Sequence, residues 1–219
     1  MKLVIASRNQ HKIKEIKAIL DQISELEIVP LDGYAAPEID EDQDTFLGNA
    51  TKKALETAKY INETVLADDS GLVVDALGGA PGVYSARYAV CERGIPTREA
   101  RSAALAVGCA DANSGQLCAK LLRELKDIPA ARRAACFVTT LVVASPQKIL
   151  YTAEGRCAGL IAEAPRGEQG FGYDPVFYYP PLGRTFAELS PEEKNAHSHR
   201  RRALENLFIQ LKSGFSAAH

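Results

Sequence analysis

The sequence predicts an α/β fold, and three observations lead there. Short runs rich in Val, Ile and Leu alternate with segments whose apolar residues recur at helical spacing. A length of 219 residues with 46% hydrophobic content suffices for a sizeable core, in one large domain or in two lobes sharing a sheet. The third observation is the stretch Val65-Leu66-Ala67-Asp68-Asp69-Ser70-Gly71-Leu72, which drives an apolar run into two adjacent carboxylates. Ionised groups at the end of a buried strand are costly unless something neutralises them.

Lys2 to Ala6 is a short β-type run, and Ile13, Ile16, Ile19 and Leu20 have helical spacing. Between them lies the polar hexapeptide Ser7, Arg8, Asn9, Gln10, His11 and Lys12. It sits where a strand hands over to a helix N-terminus, a place that favours an anion. Ser7 and Asn9 add donors and Lys12 a point charge. The glycines of a Walker A loop are missing, so a solvated loop with an Asn turn is the plainer reading of these six residues alone.

Glu27 to Leu31 is a second strand, followed by an acid-rich run from Pro37 to Asp44 that has the composition of a solvated loop. The alanine-rich stretch from Thr45 to about Asn62 is helical and presents Asn49 and Lys53 on one face, one turn apart, with Lys52 turned toward solvent. The central run then reads as a strand that opens into a loop at Gly71. Its acids admit two roles: holding a divalent cation that carries phosphate oxygens, or capping the following turn.

Gly78, Gly79, Pro81 and Gly82 make a loop able to approach a ligand closely, with Ser85 a candidate N-cap for a helix beyond it and Arg87 suited either to phosphate or, the favoured reading, to a structural pairing with a carboxylate. Helices are expected from Pro96-Thr97 and again from Ser114 to near Lys126. Ala134 to Ser145 and Ile149 to Arg156 form a β-hairpin. Gly167, Gly170 and Gly172 punctuate a loop whose aromatics, Phe171 and Tyr173, suit stacking on a planar base if exposed, or anchor the loop if buried. Ser190-Pro191 with Glu193 starts a helix. A last amphipathic helix, with Ala203, Leu204, Leu207, Phe208 and Leu211 on one face, ends at Gly214, and Arg201 and Arg202 belong to its solvated surface.

The net charge of −2 argues against a nucleic-acid coat and against a membrane-surface anchor. The apolar run Leu3 to Ala6 is too short for a signal peptide, and no other run is long enough to span a bilayer. A cytoplasmic protein with reduced thiols is expected, because the five cysteines are odd in number and widely spaced.

Five segments, in order, resemble the inosine triphosphate pyrophosphatase family, also called the Ham1 or RdgB-like aberrant purine nucleoside triphosphate pyrophosphatases. They are Ser7-Arg8-Asn9 with Lys12; Thr45-Phe46 with Asn49-Ala50 and Lys53-Ala54; Ala67 to Leu72; Gly79 to Tyr88 with Gly170 to Pro175; and Ala187-Glu188-Leu189 with Lys194 and Ser198-His199-Arg200. The resemblance covers nearly the whole chain. It departs in a longer segment between Cys91 and Gln116, in Gly48 where many relatives carry an acid, and in Asp40 where many carry Glu.

That likeness implies a single domain over residues 1–219, with two lobes around a long mixed twisted β-sheet flanked by helices and an active-site cleft between the lobes. It implies hydrolysis of inosine, deoxyinosine and xanthosine triphosphates to the monophosphate and pyrophosphate, magnesium as cofactor, a homodimer, and no nucleic-acid polymer or membrane as partner. Asp69 is then proton acceptor and metal ligand, Asp40 a second metal ligand with Glu41 the alternative at that place, and Ser70 a substrate contact. Ser7, Arg8, Asn9, Gln10, His11, Lys12 and Lys53 would hold the triphosphate. Phe171, Gly172, Tyr173, Asp174, Lys194, His199 and Arg200 would hold the nucleoside. Arg200, which can only donate, suits a 6-oxo group and not a 6-amino group. The nearest alternatives are a Maf-type pyrimidine triphosphate pyrophosphatase and a nucleotide-binding regulator without turnover. A serine hydrolase on Ser70 is disfavoured by the absence of a Gly-x-Ser-x-Gly elbow.

Overall fold

The computed structural model describes residues 1–90 and 113–216. The helix expected at Pro96-Thr97 and most of the extended segment after Cys91 lie outside these residues. Among the described residues the elements run β1 (Lys2–Ile5), α1 (Gln10–Leu20), β2 (Glu27–Pro30), α2 (Phe46–Ile61), β3 (Val65–Val74), α3 (Ser114–Glu124), β4 (Ala134–Ala144), β5 (Ile149–Ile161), β6 (Phe177–Tyr179), β7 (Arg184–Thr185), α4 (Pro191–His197) and α5 (His199–Ser216), with short 3-10 turns between. The strands form one mixed sheet in the order β2-β1-β3-β4-β5-β6-β7. β1 is parallel to β2 and β3, whereas β6 is antiparallel to β5 and β7.

The chain divides into two compact units of interleaved segments: Met1–Asp69, Thr139–Arg156 and His199–His219 in the first, Ser70–Val138 and Cys157–Ser198 in the second. In the first unit the strand alternation sorts the core into two layers. Leu3 and Ile5 of β1, Leu66 of β3 and Leu141 and Val143 of β4 pack with Ile13, Ile16 and Leu20 of α1 and with Ala203, Leu204, Leu207 and Leu211 of α5. Val4, Ala6, Val65, Ala67, Val142 and Ala144 face Ala50, Ala54 and Ala58 of α2. Three alanines at four-residue spacing give α2 a thin face that lets its backbone come close to the sheet. In the second unit Phe137, Phe177 and Phe186 pack with ring centroids 4.5–6.0 Å apart, joined by Leu117, Leu121 and Leu125 from α3 and the turn after it.

Four sequence expectations are corrected here. β3 does not open into a loop at Gly71 but continues to Val74. Ser85 is not an N-cap; it lies inside a 3-10 turn, where its hydroxyl donates to Gly82 O and accepts from Leu72 N–H. β5 runs five residues past Arg156. α5 does not stop at Gly214 but runs to Ser216, and position 214 is glycine because a Cβ there would collide with the Tyr151 hydroxyl. α3 starts at Ser114 as expected, with Asn113 as its N-cap in a capping box with Gln116.

Candidate active site

Successive side chains on a strand leave opposite faces. Asp68 therefore enters the layer of α1 and α5, and Asp69 enters that of α2. Asp68 is buried and its carboxylate lies 2.7 Å from Lys12 Nζ, on the first turn of α1, and 3.8 Å from Arg200 on α5. Burial opposes its ionisation, but Lys12, Arg200 and Lys53 together hold it well below the usual carboxylate range. Arg200 is itself buried and pairs with Glu15, one turn beyond Lys12 on α1. Its guanidinium is thus committed to two carboxylates.

Asp69 accepts a hydrogen bond from Asn49 Nδ2 of α2 at 2.8 Å, and the same amide's Oδ1 accepts from Gln43 N–H at 2.8 Å. Asn49 in this way ties the acid-rich segment to Asp69. Lys53, one turn along α2, lies 2.9 Å from Glu41. Burial depresses the Lys53 ammonium's affinity for its proton, yet Glu41, Asp68 and Asp69 more than compensate and raise it. Glu41 is lowered despite burial, because Lys53 pairs with it. Asp69 moves the other way: burial first, then the charge of Glu41, push its carboxyl up to about 7.

Asp69, Glu41, Asp68, Lys12 and Lys53 thus lie within electrostatic reach of one another in the first unit. Asp40 is exposed, so the acid whose charge reaches Asp69 is Glu41. Nothing in a run of five acids over eight positions distinguished the two beforehand. Lys52, expected in solvent, pairs with Asp42 at 3.0 Å. Gly48 is explained as well: a Cβ there would lie 2.8 Å from that of Gln43, so an acid at this position requires the acid-rich segment to move.

The hexapeptide makes the turn into α1. Asn9 N–H donates to Ser7 Oγ, Lys12 N–H donates to Asn9 Oδ1, and Arg8 reaches back to the carbonyl of Ala36. Gln10, His11 and Lys12 are on the first turn of α1. Ser70 follows Asp69 on β3 and is half-buried, and His199 is buried at the start of α5.

The glycine-punctuated loop belongs to the second unit. Asp174 is buried, accepts from Phe171 N–H at 2.8 Å and pairs with Lys194 Nζ of α4 at 2.6 Å. A Cβ on Gly170 would collide with that carboxylate, so the loop closes tightly on Asp174. Lys194 also lies 4.6 Å from the Phe171 ring centre. Phe171 is half-buried and keeps accessible surface. Tyr173 is not exposed: its ring is in the core and its hydroxyl donates to Ser85 O at 2.9 Å, making it the loop's anchor.

Two carboxylates under one another's influence, buried Asp69 and half-buried Glu41, form a donor set that a hard divalent cation would relieve, and Asp68 Oδ1 is buried without a hydrogen-bond partner among the described residues. No cluster of three or more His, Cys, Asp or Glu forms a ready-made cage among the described residues. Magnesium does not need one, since it takes one or two carboxylates and completes its shell with water and phosphate oxygens.

Fold and site together define an α/β protein in which buried aspartates of β3 lie close to a lysine on the first turn of α1 and another in the middle of α2. The model of the Ham1 family matches residues 3–210, and the chain belongs to that family. It is 46% identical over 205 residues to the dITP/XTP pyrophosphatase of Geobacillus kaustophilus, covering 94% of this chain and 91% of that one. It is also 46% identical over 206 residues to the dITP/XTP pyrophosphatase of Thermosynechococcus vestitus, covering 93% and 92%. Among solved structures, a HAM1 protein from Coxiella burnetii superposes with a TM-score of 0.82 at 36% identity, covering 97% of this chain and 99% of that one.

Proposed function

We propose that this chain hydrolyses the aberrant purine nucleoside triphosphates dITP, XTP and ITP to the monophosphate and pyrophosphate, clearing them from the nucleotide pool. Family membership and relatives named dITP/XTP pyrophosphatases support the enzyme class and the first two substrates. The observation that carries the chemistry is the meeting of buried Asp69 and Asp68 with half-buried Glu41, Lys12 and Lys53.

A triphosphate carries about four negative charges near neutral pH, and water attacking its α-phosphorus must overcome them. Lys12 and Lys53 supply fixed positive charge from the first turn of α1 and from α2, aimed at the leaving pyrophosphate. Magnesium, held by Asp69 and Glu41 with Asp40 as the alternative second ligand, supplies further positive charge to the phosphoryl oxygens when bound. Asp69, oriented by Asn49, takes the proton of the attacking water. In the metal-free site the Asp69 carboxyl is pushed up to about 7, whereas a cation bound to it would favour the carboxylate and make it a weaker base, so the two roles compete for one side chain. Phe171, above the Asp174 and Lys194 pair, offers a ring face to the base.

A substrate panel tests the proposal: pyrophosphate release with magnesium from ITP, dITP, XTP, ATP, GTP, CTP and UTP. Release from the first three with little from the rest is expected, and Asp69→Asn should cut turnover by about 100-fold or more. Preference for CTP or UTP would point to the Maf-type reading, and binding without release to a regulator. A cytoplasmic homodimer completes the proposal, resting on the family resemblance; among the described residues no helix is long and apolar enough to cross a membrane.

A further inference from the structure

The second unit holds a contact that the proposed chemistry does not use. Gly172 N–H donates to Ser114 Oγ at 2.8 Å, and Gly172 O accepts from Cys118 Sγ at 3.5 Å. Ser114 and Cys118 stand four residues apart on α3 and so share one helix face. The nitrogen of Gly172 belongs to the peptide shared with Phe171, and its oxygen to the peptide shared with Tyr173. Two side chains of one helix thereby fix the peptide planes on either side of a single residue. Gly172 has φ +62°, and a Cβ there would meet nothing within 4 Å. Glycine is needed for the backbone turn, not for space.

We propose that Ser114 and Cys118 are positioning residues that hold the Phe171 ring at the angle the nucleobase requires. The inference rests on the proposed function, in which Phe171 meets the base. The rest of the loop is tied down elsewhere: Tyr173 by Ser85, and Asp174 by Lys194 and by Phe171 N–H. The peptides flanking Gly172 are held by α3. Cys118 suits a donor's role because burial, with the charge of Asp174 nearby, pushes its thiol up to about 11 and keeps the S–H proton in place. Ser114 is available for this task because helix capping is done by Asn113 with Gln116.

The test compares Ser114→Ala and Cys118→Ala with Ser114→Thr and Cys118→Ser, which keep a hydrogen-bonding group at each position, using pyrophosphate release from dITP with magnesium. Loss of one neutral hydrogen bond predicts a KM for dITP about three- to tenfold higher in Ser114→Ala, a smaller rise in Cys118→Ala, and kcat within about twofold of wild type. Ser114→Thr should restore KM. Inorganic tripolyphosphate, which carries no nucleoside, should inhibit every variant with the wild-type constant. An unchanged dITP KM in both alanine variants overturns the proposal, as does an equal weakening of tripolyphosphate inhibition. A wild-type chain that releases no pyrophosphate from dITP fails the functional reading itself, and the positioning role with it.

Discussion

In an extended strand one peptide bond carries the next side chain to the other side of the sheet, so Asp68 and Asp69 meet different neighbours and titrate apart. Asp68 is held charged by Lys12 and Arg200, while Asp69, crowded by burial and Glu41, keeps its proton up to about pH 7. The unfolded chain releases that proton near 3.8. Between these values the native state binds more protons, so the Asp69 contribution to stability is present below about 4 and is lost as pH rises through 7. Asp68 and Glu41 have the opposite sign: their contribution is present above the ordinary carboxylate range and is lost as pH falls through their lowered values. Urea denaturation of metal-free protein should therefore show the Asp69 contribution to wild-type stability being lost between about pH 4 and 7, by up to a few kcal/mol, and Asp69→Asn losing far less over the same range. Asn49→Ala, which frees Asp69 from its orienting amide, is expected to lower kcat about 10- to 100-fold, measured as pyrophosphate release. Removing Asp68 by mutation to Ala leaves Lys12 and Arg200 without their shared carboxylate and should cost about 3–5 kcal/mol in the same denaturation assay.

Helix α5 lies against β5 in the first unit because position 155 is glycine. A Cβ there would collide with the backbone of His199 and Ala203. Gly155→Ala should push the first turn of α5 off the strand, lowering stability by about 1–3 kcal/mol in a thermal melt and weakening activity through displaced His199 and Arg200. The helices themselves were readable from sequence: Ile13, Ile16 and Ile19 mark the buried face of α1, Ala50, Ala54 and Ala58 that of α2, and Ser190 caps α4 as its spacing implied. The continuation of β3 was not. Asp-Asp-Ser-Gly has the composition of a turn, and only the lysine and arginine brought in from α1 and α5 make an extended, buried conformation tolerable there. Glu41 was hidden for a similar reason, since no periodicity in an acid-rich run tells which member turns inward until α2 supplies Lys53.

At the scale of the whole molecule the two units are interleaved in sequence. β3, β4 and β5 each contribute residues to both. The core of the second unit needs Phe177 and Phe186, far along the chain from Leu72, and that of the first needs Leu141, Ala153 and Leu207 in addition to β1. A fragment of residues 1–138 therefore lacks part of both cores, and it is expected to show no cooperative transition in urea and no near-ultraviolet circular dichroism of packed aromatics. The family motifs announced the mixed sheet, but the partition into units rests on long-range packing that no local pattern records. The alternation along β3 has one last consequence. Which of the two carboxylates lies beside Lys12 and which beside Asn49 is decided by strand parity, so inserting a single residue after Ala67 would carry Asp68 into the place of Asp69 and leave Lys12 facing the newcomer.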